Sequence, residues 1–244
     1  MIDIHCHILY GVDDGSYCLS ESVEMARIAY EGGTRQIIAT PHANAPGNDP
    51  NAWGDRLAQR LAALNEQLRA ENVPMELLPG QEVFCAGDVV SMLKNGALMP
   101  LNGTRYLLIE FDFYAHTDTI IEYCEALLAA GVVPVVAHPE RYAAVKEDDQ
   151  TAYRLKKRGC LLQLNSGSLF GAFGRSSQSA AHSLLADSLA DFIASDAHSP
   201  YVRTPFLGDA HEMVSDMYSL EYADLLFREN PENLINDKEI QAFY

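Results

Sequence analysis

Residues 117–138 read TDTIIEYCEALLAAGVVPVVAH, and this stretch decides the class of fold. Its first part places apolar side chains at Ile120, Ile121, Cys124, Leu127 and Leu128, one stripe of an amphipathic helix over 117–130. Gly131 follows as a C-cap glycine does, and 132–138 is a β-branched run that reads as a strand ending on a histidine. A helix that feeds directly into such a strand is the building unit of a parallel sheet.

The same alternation extends in both directions. Seven strands are expected, at 2–7, 36–40, 75–78, 106–110, 132–138, 160–165 and 192–196. Between them lie helices at 20–31, 52–71, 88–94, 117–130, 149–158, 177–189 and 205–218, several opened by Ser, Asp or Thr as N-caps. Gly32-Gly33, Gly131 and Gly159 close helices, and Asn230-Pro231 opens a last short one with proline at its first position. Residues 166–179, rich in Gly and Ser, read as a mobile loop after strand six. The 244 residues match the usual size of a (β/α) barrel, about 250 residues, so a single α/β domain over 1–244 is expected.

Composition narrows the function. A formal charge of -17 argues against nonspecific nucleic-acid binding, which needs clustered Lys and Arg, but permits an anionic substrate wherever bound cations make one pocket locally positive. No apolar run approaches the roughly 20 residues needed to cross a bilayer. The chain begins directly in a strand, which leaves no room for a signal peptide, so a cytoplasmic location is expected. Cys6, Cys18, Cys85, Cys124 and Cys160 show no paired spacing and read as reduced thiols.

The chemistry lies in what ends the strands. His5 and His7 close strand one, His42 follows strand two, Glu82 strand three, Glu110 ends strand four, His138 strand five, and Asp196 with His198 strand seven. Carboxyl ends of parallel strands form one face, so these residues are expected to converge although distant in sequence. His5/His7 and Asp196/His198 are i,i+2 pairs, which on a strand point to one side while Cys6 and Ala197 point to the other. His116, His182 and His211 fall outside this register and read as ordinary histidines.

Imidazoles mixed with carboxylates and no thiolate suit manganese, iron or zinc, whereas an all-oxygen shell would suit magnesium or calcium. The ligands are too many for one tetrahedral zinc. Two or three divalent ions are expected, with Glu82 as a candidate bridge.

The motifs His5-Cys6-His7, Val12-Asp13-Asp14-Gly15, Thr40-Pro41-His42, Gly80-Gln81-Glu82, Ile109-Glu110-Phe111, Ala137-His138-Pro139-Glu140-Arg141-Tyr142 and Ala194-Ser195-Asp196-Ala197-His198 occur in this order. Together with Asn165-Ser166-Gly167-Ser168 and Phe173-Gly174, they resemble the manganese-dependent protein-tyrosine phosphatases of the polymerase and histidinol phosphatase (PHP) superfamily that accompany bacterial capsule and exopolysaccharide genes. The resemblance runs to about residue 235. It implies a distorted seven-stranded TIM-like barrel and three ions, held by His5, His7, Glu82 and Asp196; by Asp14, His42 and His198; and by Glu82, Glu110 and His138. It also implies that Arg141 and Arg203 bind substrate phosphate, with His198 both ligand and catalytic residue. The expected substrate is a phosphotyrosine protein, the tail of a bacterial tyrosine kinase, and self-association is left open. One departure is 44–52, where Asn44, Pro46, Gly47 and Asp49 stand in place of the family's basic residues, which bears on substrate preference rather than on metal binding.

The chemistry expected is in-line attack on phosphorus by hydroxide, made available near neutral pH because metal lowers the pKa of water from about 15.7 to roughly 7. A phenolate of pKa about 10 leaves more readily than an alkoxide, which favours phosphotyrosine over phosphoserine. An ion pair of Arg141 with Glu140 or Glu147 is the other reading of that arginine. A thiol-based phosphatase needs arginine six positions after its cysteine; those positions hold Val12, Glu24, Ser91, Ala130 and Ser166, which excludes it. An amidohydrolase commonly offers a carboxylated lysine where this chain has Glu110. Histidinol-phosphate phosphatase and an inactive metal-binding scaffold complete the alternatives.

Overall fold

The computed structural model describes residues 1–45, 54–148 and 150–243. Pro46, Gly47 and Asp49, the expected helix start at Ala52 and that at Asp149 lie outside the described residues.

Nine strands are described: β1 Ile2–Cys6, β2 Gln36–Ala39, β3 His42–Ala43, β4 Glu76–Pro79, β5 Glu82–Phe84, β6 Tyr106–Glu110, β7 Val133–Ala137, β8 Leu161–Asn165 and β9 Phe192–Ala194. They form a three-stranded sheet, β1-β2-β4, and a six-stranded sheet, β3-β5-β6-β7-β8-β9. Every described pairing is parallel. The count exceeds the expected seven because strands two and three each continue, after Thr40-Pro41 and Gly80-Gln81, as short segments paired in the other sheet. Pro41 has no N–H to donate, which suits a break in the ladder.

The α-helices are α1 Leu19–Glu31, α2 Gly54–Ala70, α3 Val89–Lys94, α4 Thr117–Ala129, α5 Ala143–Glu147, α6 Gln150–Lys157, α7 Ser166–Leu169, α8 Arg175–Ala186, α9 Gly208–Met217, α10 Leu220–Asp224 and α11 Asn230–Ile235. In α4, Ile120, Ile121, Cys124 and Leu127 are buried, the stripe read from sequence, and Gly131 takes the left-handed φ of 81° that lets the chain turn into β7. Side-chain caps of α-helices are fewer than expected: among the described residues Asp88 accepts from Ser91 N and Ser219 from Tyr222 N. The 166–179 segment is largely helical rather than a loop, through α7 and the start of α8. Its serines Ser166, Ser168 and Ser177 are buried, so composition alone misreads it. No described helix is long and apolar enough to cross a membrane.

Strand alternation sorts the core. Ile2, Ile4 and Ile38 of the smaller sheet and Tyr106, Leu108, Val135, Ala137, Phe192 and Ala194 of the larger one share one apolar cluster. The two sheets therefore face a common interior. Leu107, Ile109, Val136 and Ile193 point the opposite way, into a second cluster under the helices. Extending the inner face along β6 leads from Tyr106 and Leu108 to Glu110; along β8 it leads from Leu161 to Gln163 and Asn165. Parallel strands thus turn apolar residues toward one end of the interior and polar ones toward the other.

Candidate metal centre

At the carboxyl end of the strands the polar residues meet. His5 Nε2 lies 3.2 Å from Glu82 Oε2 and 3.4 Å from Asp196 Oδ1. His7 Nε2 lies 3.2 Å and 3.5 Å from the same two oxygens, and 3.3 Å from His5 Nε2. His42 Nδ1 faces Glu82 Oε2 at 3.1 Å and Glu110 Oε1 at 3.0 Å, while its Nε2 is 3.4 Å from Asp14 Oδ1. His198 Nε2 approaches Asp14 at 3.5 Å, and His138 Nε2 is 2.9 Å from Glu82 Oε1 and 3.9 Å from Glu110 Oε2.

Three donor sets have ligand atoms within 4.8 Å of one another: His5, His7, Glu82 and Asp196; His7, Asp14, His42 and His198; and His42, Glu82 and Glu110. Any two of these share one residue: His7, Glu82 or His42. Every sequence-expected ligand is thus gathered here; His138 borders the third set, against Glu82 and Glu110.

The protons show what this arrangement suits. His5 Nδ1 is 2.8 Å from Gln163 Oε1, and Gln163 Nε2 donates to Asn165 Oδ1, so the amide oxygen faces His5 and His5 Nδ1 carries the hydrogen. Asp13 Oδ2 at 2.7 Å fixes His7 Nδ1–H in the same way, and the carbonyl of Asp196 at 3.0 Å fixes that of His198. All three imidazoles therefore present Nε2 lone pairs to carboxylate oxygens, which also only accept. Lone pairs converging on lone pairs are repulsive unless a cation or protons sit between them, so the residues fit divalent metal. His42 Nδ1 adds to this: it is buried between two carboxylates yet lacks the alignment of a hydrogen bond.

Without a cation, protons take that role. Burial alone would lower the pKa of His42, but Glu110 and Glu82 push it up to about 10. Burial alone would raise Glu82 and Asp196, but the surrounding imidazoles hold both well below the usual carboxylate range.

Local backbone explains how the side chains reach the rim. His138, Asp196 and Arg203 adopt left-handed φ values of 37°, 49° and 54°, a conformation costly for non-glycine residues and frequent at functional sites. This is why β7 and β9 stop at Ala137 and Ala194 instead of continuing to the histidine and aspartate. It also corrects the i,i+2 reading of Asp196 and His198, which come together through a turn beyond β9 rather than along a strand. His5 and His7 do converge as expected, with Cys6 buried on the far side. Gly15 is fixed by contact: a Cβ there would fall 2.2 Å from the His7 carbonyl oxygen, so only glycine lets the loop carrying Asp14 lie against β1.

Arg141 Nη1 and Arg203 Nη2 both point to Asp196 Oδ2, at 3.5 Å and 2.6 Å. Arg141 is further held between the rings of Phe113 and Phe173, 4.4 Å and 4.3 Å from their centroids. Its ion pair is thus with Asp196 rather than with Glu140 or Glu147; Glu140 instead accepts from Asn165 N and Ser168 Oγ. With Asp14, His42, Glu82, Glu110, His138, Asp196 and His198 these arginines line a cavity of about 300 Å³.

Several residues of the centre have roles that the sequence does not assign. Asp13 orients His7 and also accepts from His42 N at 3.0 Å. Asn165 donates to Asp196 Oδ2 at 2.5 Å, and buried Asp3 ties β1 to the turn after β9 by accepting from Ser195 N and Oγ at 3.0 Å and 2.6 Å. Burial pushes the Asp3 carboxyl up to about 6. The polar pair Gln163 and Asn165 in an otherwise apolar strand is the signal that would have revealed the second of these. His116, His182 and His211 lie elsewhere: His116 precedes α4, His182 pairs with the Leu169 carbonyl and His211 with Asp224.

The fold and the donor set place the chain among parallel α/β proteins whose strand ends carry a cluster of side chains able to hold metal. More narrowly, it belongs to the capsular polysaccharide synthesis family CpsB/CapC, which residues 1–236 match. It is 39% identical over 246 residues to the tyrosine-protein phosphatase YwqE of Bacillus subtilis, covering 98% of this chain and 93% of that one. A solved structure from work on YwqE of B. subtilis and CpsB of Streptococcus pneumoniae, described as metal-dependent tyrosine phosphatases, superposes with TM-score 0.93 at 36% identity, over 100% of this chain and 97% of that chain. The lactonase Lmo2620 of Listeria monocytogenes shares the fold alone, with TM-score 0.66 at 10% identity over 98% and 95% of the two chains.

Proposed function

We propose that this protein is a metal-dependent protein-tyrosine phosphatase. The observation that carries the reading is the convergence of three donor sets that share His7, His42 and Glu82, at a cavity that each set helps to line beside two arginines. On this reading His5, His7, Glu82 and Asp196 hold one ion, Asp14, His42 and His198 a second with His7 adjoining, and Glu82, Glu110 and His138 a third with His42 adjoining.

Bound divalent cations supply Lewis acidity, which brings the pKa of water near neutrality and offsets phosphoryl charge. Arg141 and Arg203 bind phosphoryl oxygens through N–H groups whose planar geometry lysine does not reproduce. Phe113 and Phe173 hold the Arg141 guanidinium flat. Phe84 and Phe113 line the cavity with the ligands, and their rings suit a phenyl group entering behind its phosphate. His198, its Nδ1 proton held by the Asp196 carbonyl, keeps Nε2 toward the cavity as ligand and catalytic neighbour.

The reading includes a single domain in which both sheets form one distorted seven-stranded barrel. Support comes from the hydrogen bonds His7 N to Ala197 O at 2.9 Å and Asp196 N to His5 O at 2.8 Å, which join the first strand to the segment after β9. Manganese as the native metal, a bacterial tyrosine kinase tail as the substrate and a cytoplasmic location rest on the family resemblance and are parts of the same proposal.

The test is turnover of matched phosphotyrosine and phosphoserine peptides by metal-stripped protein resupplied separately with manganese, iron, zinc or magnesium. Metal-restored turnover of the phosphotyrosine peptide in preference is expected. Equal turnover of both peptides contradicts the specificity.

A further inference from the structure

Beside the phosphate cavity lies a second one, of about 420 Å³, between α7, the Phe173 turn and the segment that carries Arg203 into α9. Its walls are mostly apolar, and they are open: Phe170 is 51% exposed, Val202 72% and Phe206 36%. Large apolar side chains clustered around one solvent-filled hollow are unusual on a surface unless something covers them.

The hollow is built rather than incidental. Phe206 stands against Gly32 and Gly208, where an added Cβ would come within 3.1 Å and 2.9 Å of its ring. Phe173 is seated on Gly167 in the same way, at 3.2 Å. Ser199 Oγ donates to Val202 O at 2.7 Å and accepts from Val202 N at 2.9 Å, and His198 N donates to Arg203 O at 3.0 Å, so the Val202 turn is held in place.

Its position says what it takes. Arg203 lines both cavities, and Phe173, a wall of this one, packs under the guanidinium groups of Arg141 and Arg203, with 4.3 Å and 5.4 Å from ring centroid to Cζ. A polypeptide with its phosphate between those arginines has neighbouring residues within reach of this opening, because an extended chain advances only about 3.3–3.6 Å per residue. The phenyl-lined walls favour an apolar side chain. Asp209 in the lining and the net charge of -17 disfavour an acidic one, while Arg203 is already paired with Asp196 at 2.6 Å.

We propose that this hollow is a substrate subsite: it binds an aliphatic or aromatic side chain of the phosphoprotein within about three residues of the phosphotyrosine. The proposal rests on the phosphatase reading and adds to it a preference in flanking sequence.

The experiment compares the metal-loaded protein on phosphotyrosine peptides that are alanine throughout except for a single Leu, Phe, Glu or Lys scanned over three positions on each side. Aryl phosphate, which has no flank, is the reference substrate. Wild type is expected to gain about tenfold in kcat/KM from Leu or Phe at one position and nothing there from Glu. Phe170→Asp and Val202→Asp, both at exposed positions, are expected to erase that gain while turning over aryl phosphate as wild type does. Equal rates on all peptides, or a gain that survives both substitutions, overturns the subsite and leaves the phosphatase reading standing. Absence of aryl phosphate turnover with every metal overturns that reading and the subsite with it.

Discussion

Arg203 Nη2 lies 2.6 Å from Asp196 Oδ2, while the other oxygen of the same carboxylate faces His5 and His7 at 3.4 Å and 3.5 Å. One buried aspartate thus joins two sides of the site: an imidazole pair that suits a metal and, with Asn165, the arginines at the cavity. Asp196 and Arg203 are both in left-handed conformation, at φ 49° and 54°, and backbone hydrogen bonds to His5 O and from His198 N hold them there. The strained turn thus carries both the Asp196 oxygen that faces the histidines and the Arg203 guanidinium at the cavity mouth.

Arg203→Lys and Arg141→Lys keep the charge but lose the planar fork. Each is expected to lower kcat/KM on aryl phosphate roughly 10- to 100-fold, the worth of a charge-assisted hydrogen bond, with bound metal unchanged. Metal analysis beside the kinetics checks this. A loss of metal in proportion to activity would make the arginines structural supports of Asp196.

Asp13 holds the proton of His7 Nδ1 at 2.7 Å and the backbone of His42 at 3.0 Å. Asp13→Asn weakens the basicity and orientation of His7, and metal affinity is expected to fall about 10- to 100-fold. Competition with a chromophoric chelator measures it. Unchanged affinity would show that His7 needs no orienting carboxylate.

Metal and protons compete for the same lone pairs, which fixes the sign of the pH dependence. His42 in the metal-free protein has its pKa raised to about 10 by Glu110 and Glu82 against the effect of burial. A raised pKa contributes stability that is fully present below the unfolded value, about 6.5, and is lost as pH rises through about 10. The metal-free protein should therefore lose thermal stability between about pH 7 and 10. Metal affinity should rise over the same interval, and binding should release protons, seen by calorimetry in buffers of different ionisation enthalpy. An affinity independent of pH from about 6 to 9 would contradict this.

How much of this is legible in sequence depends on whether the signal is local. The α4–Gly131–β7 unit is, because helical periodicity, a C-cap glycine and a β-branched run occupy one stretch. The gathering of the candidate ligands is legible because parallel strands put His5, Glu82, Glu110 and Asp196 at one end whatever their separation. Division of the strands is less so, since Thr40-Pro41 and Gly80-Gln81 redirect short segments whose partners are set by tertiary packing. The turns at His138 and Asp196 take left-handed φ values that neither residue type demands; contacts across the fold impose them. Asp13 and Asn165 lie inside motifs named from sequence, but their roles, like that of Asp3, depend on such contacts and are not legible there. The helical 166–179 segment is misread for the same reason: Ser166, Ser168 and Ser177 are buried, and Ser168 donates to Glu140 at 2.6 Å.

The most direct measurement is a titration of metal-stripped protein with manganese, following ions bound per chain and phosphotyrosine peptide turnover in the same sample, for wild type, His42→Ala and Glu110→Ala. No turnover is expected in the stripped protein, recovery only as more than one ion binds, and loss of both bound ion and turnover in the two variants. Full turnover in the stripped protein, or variants that bind metal and react as wild type does, would contradict this.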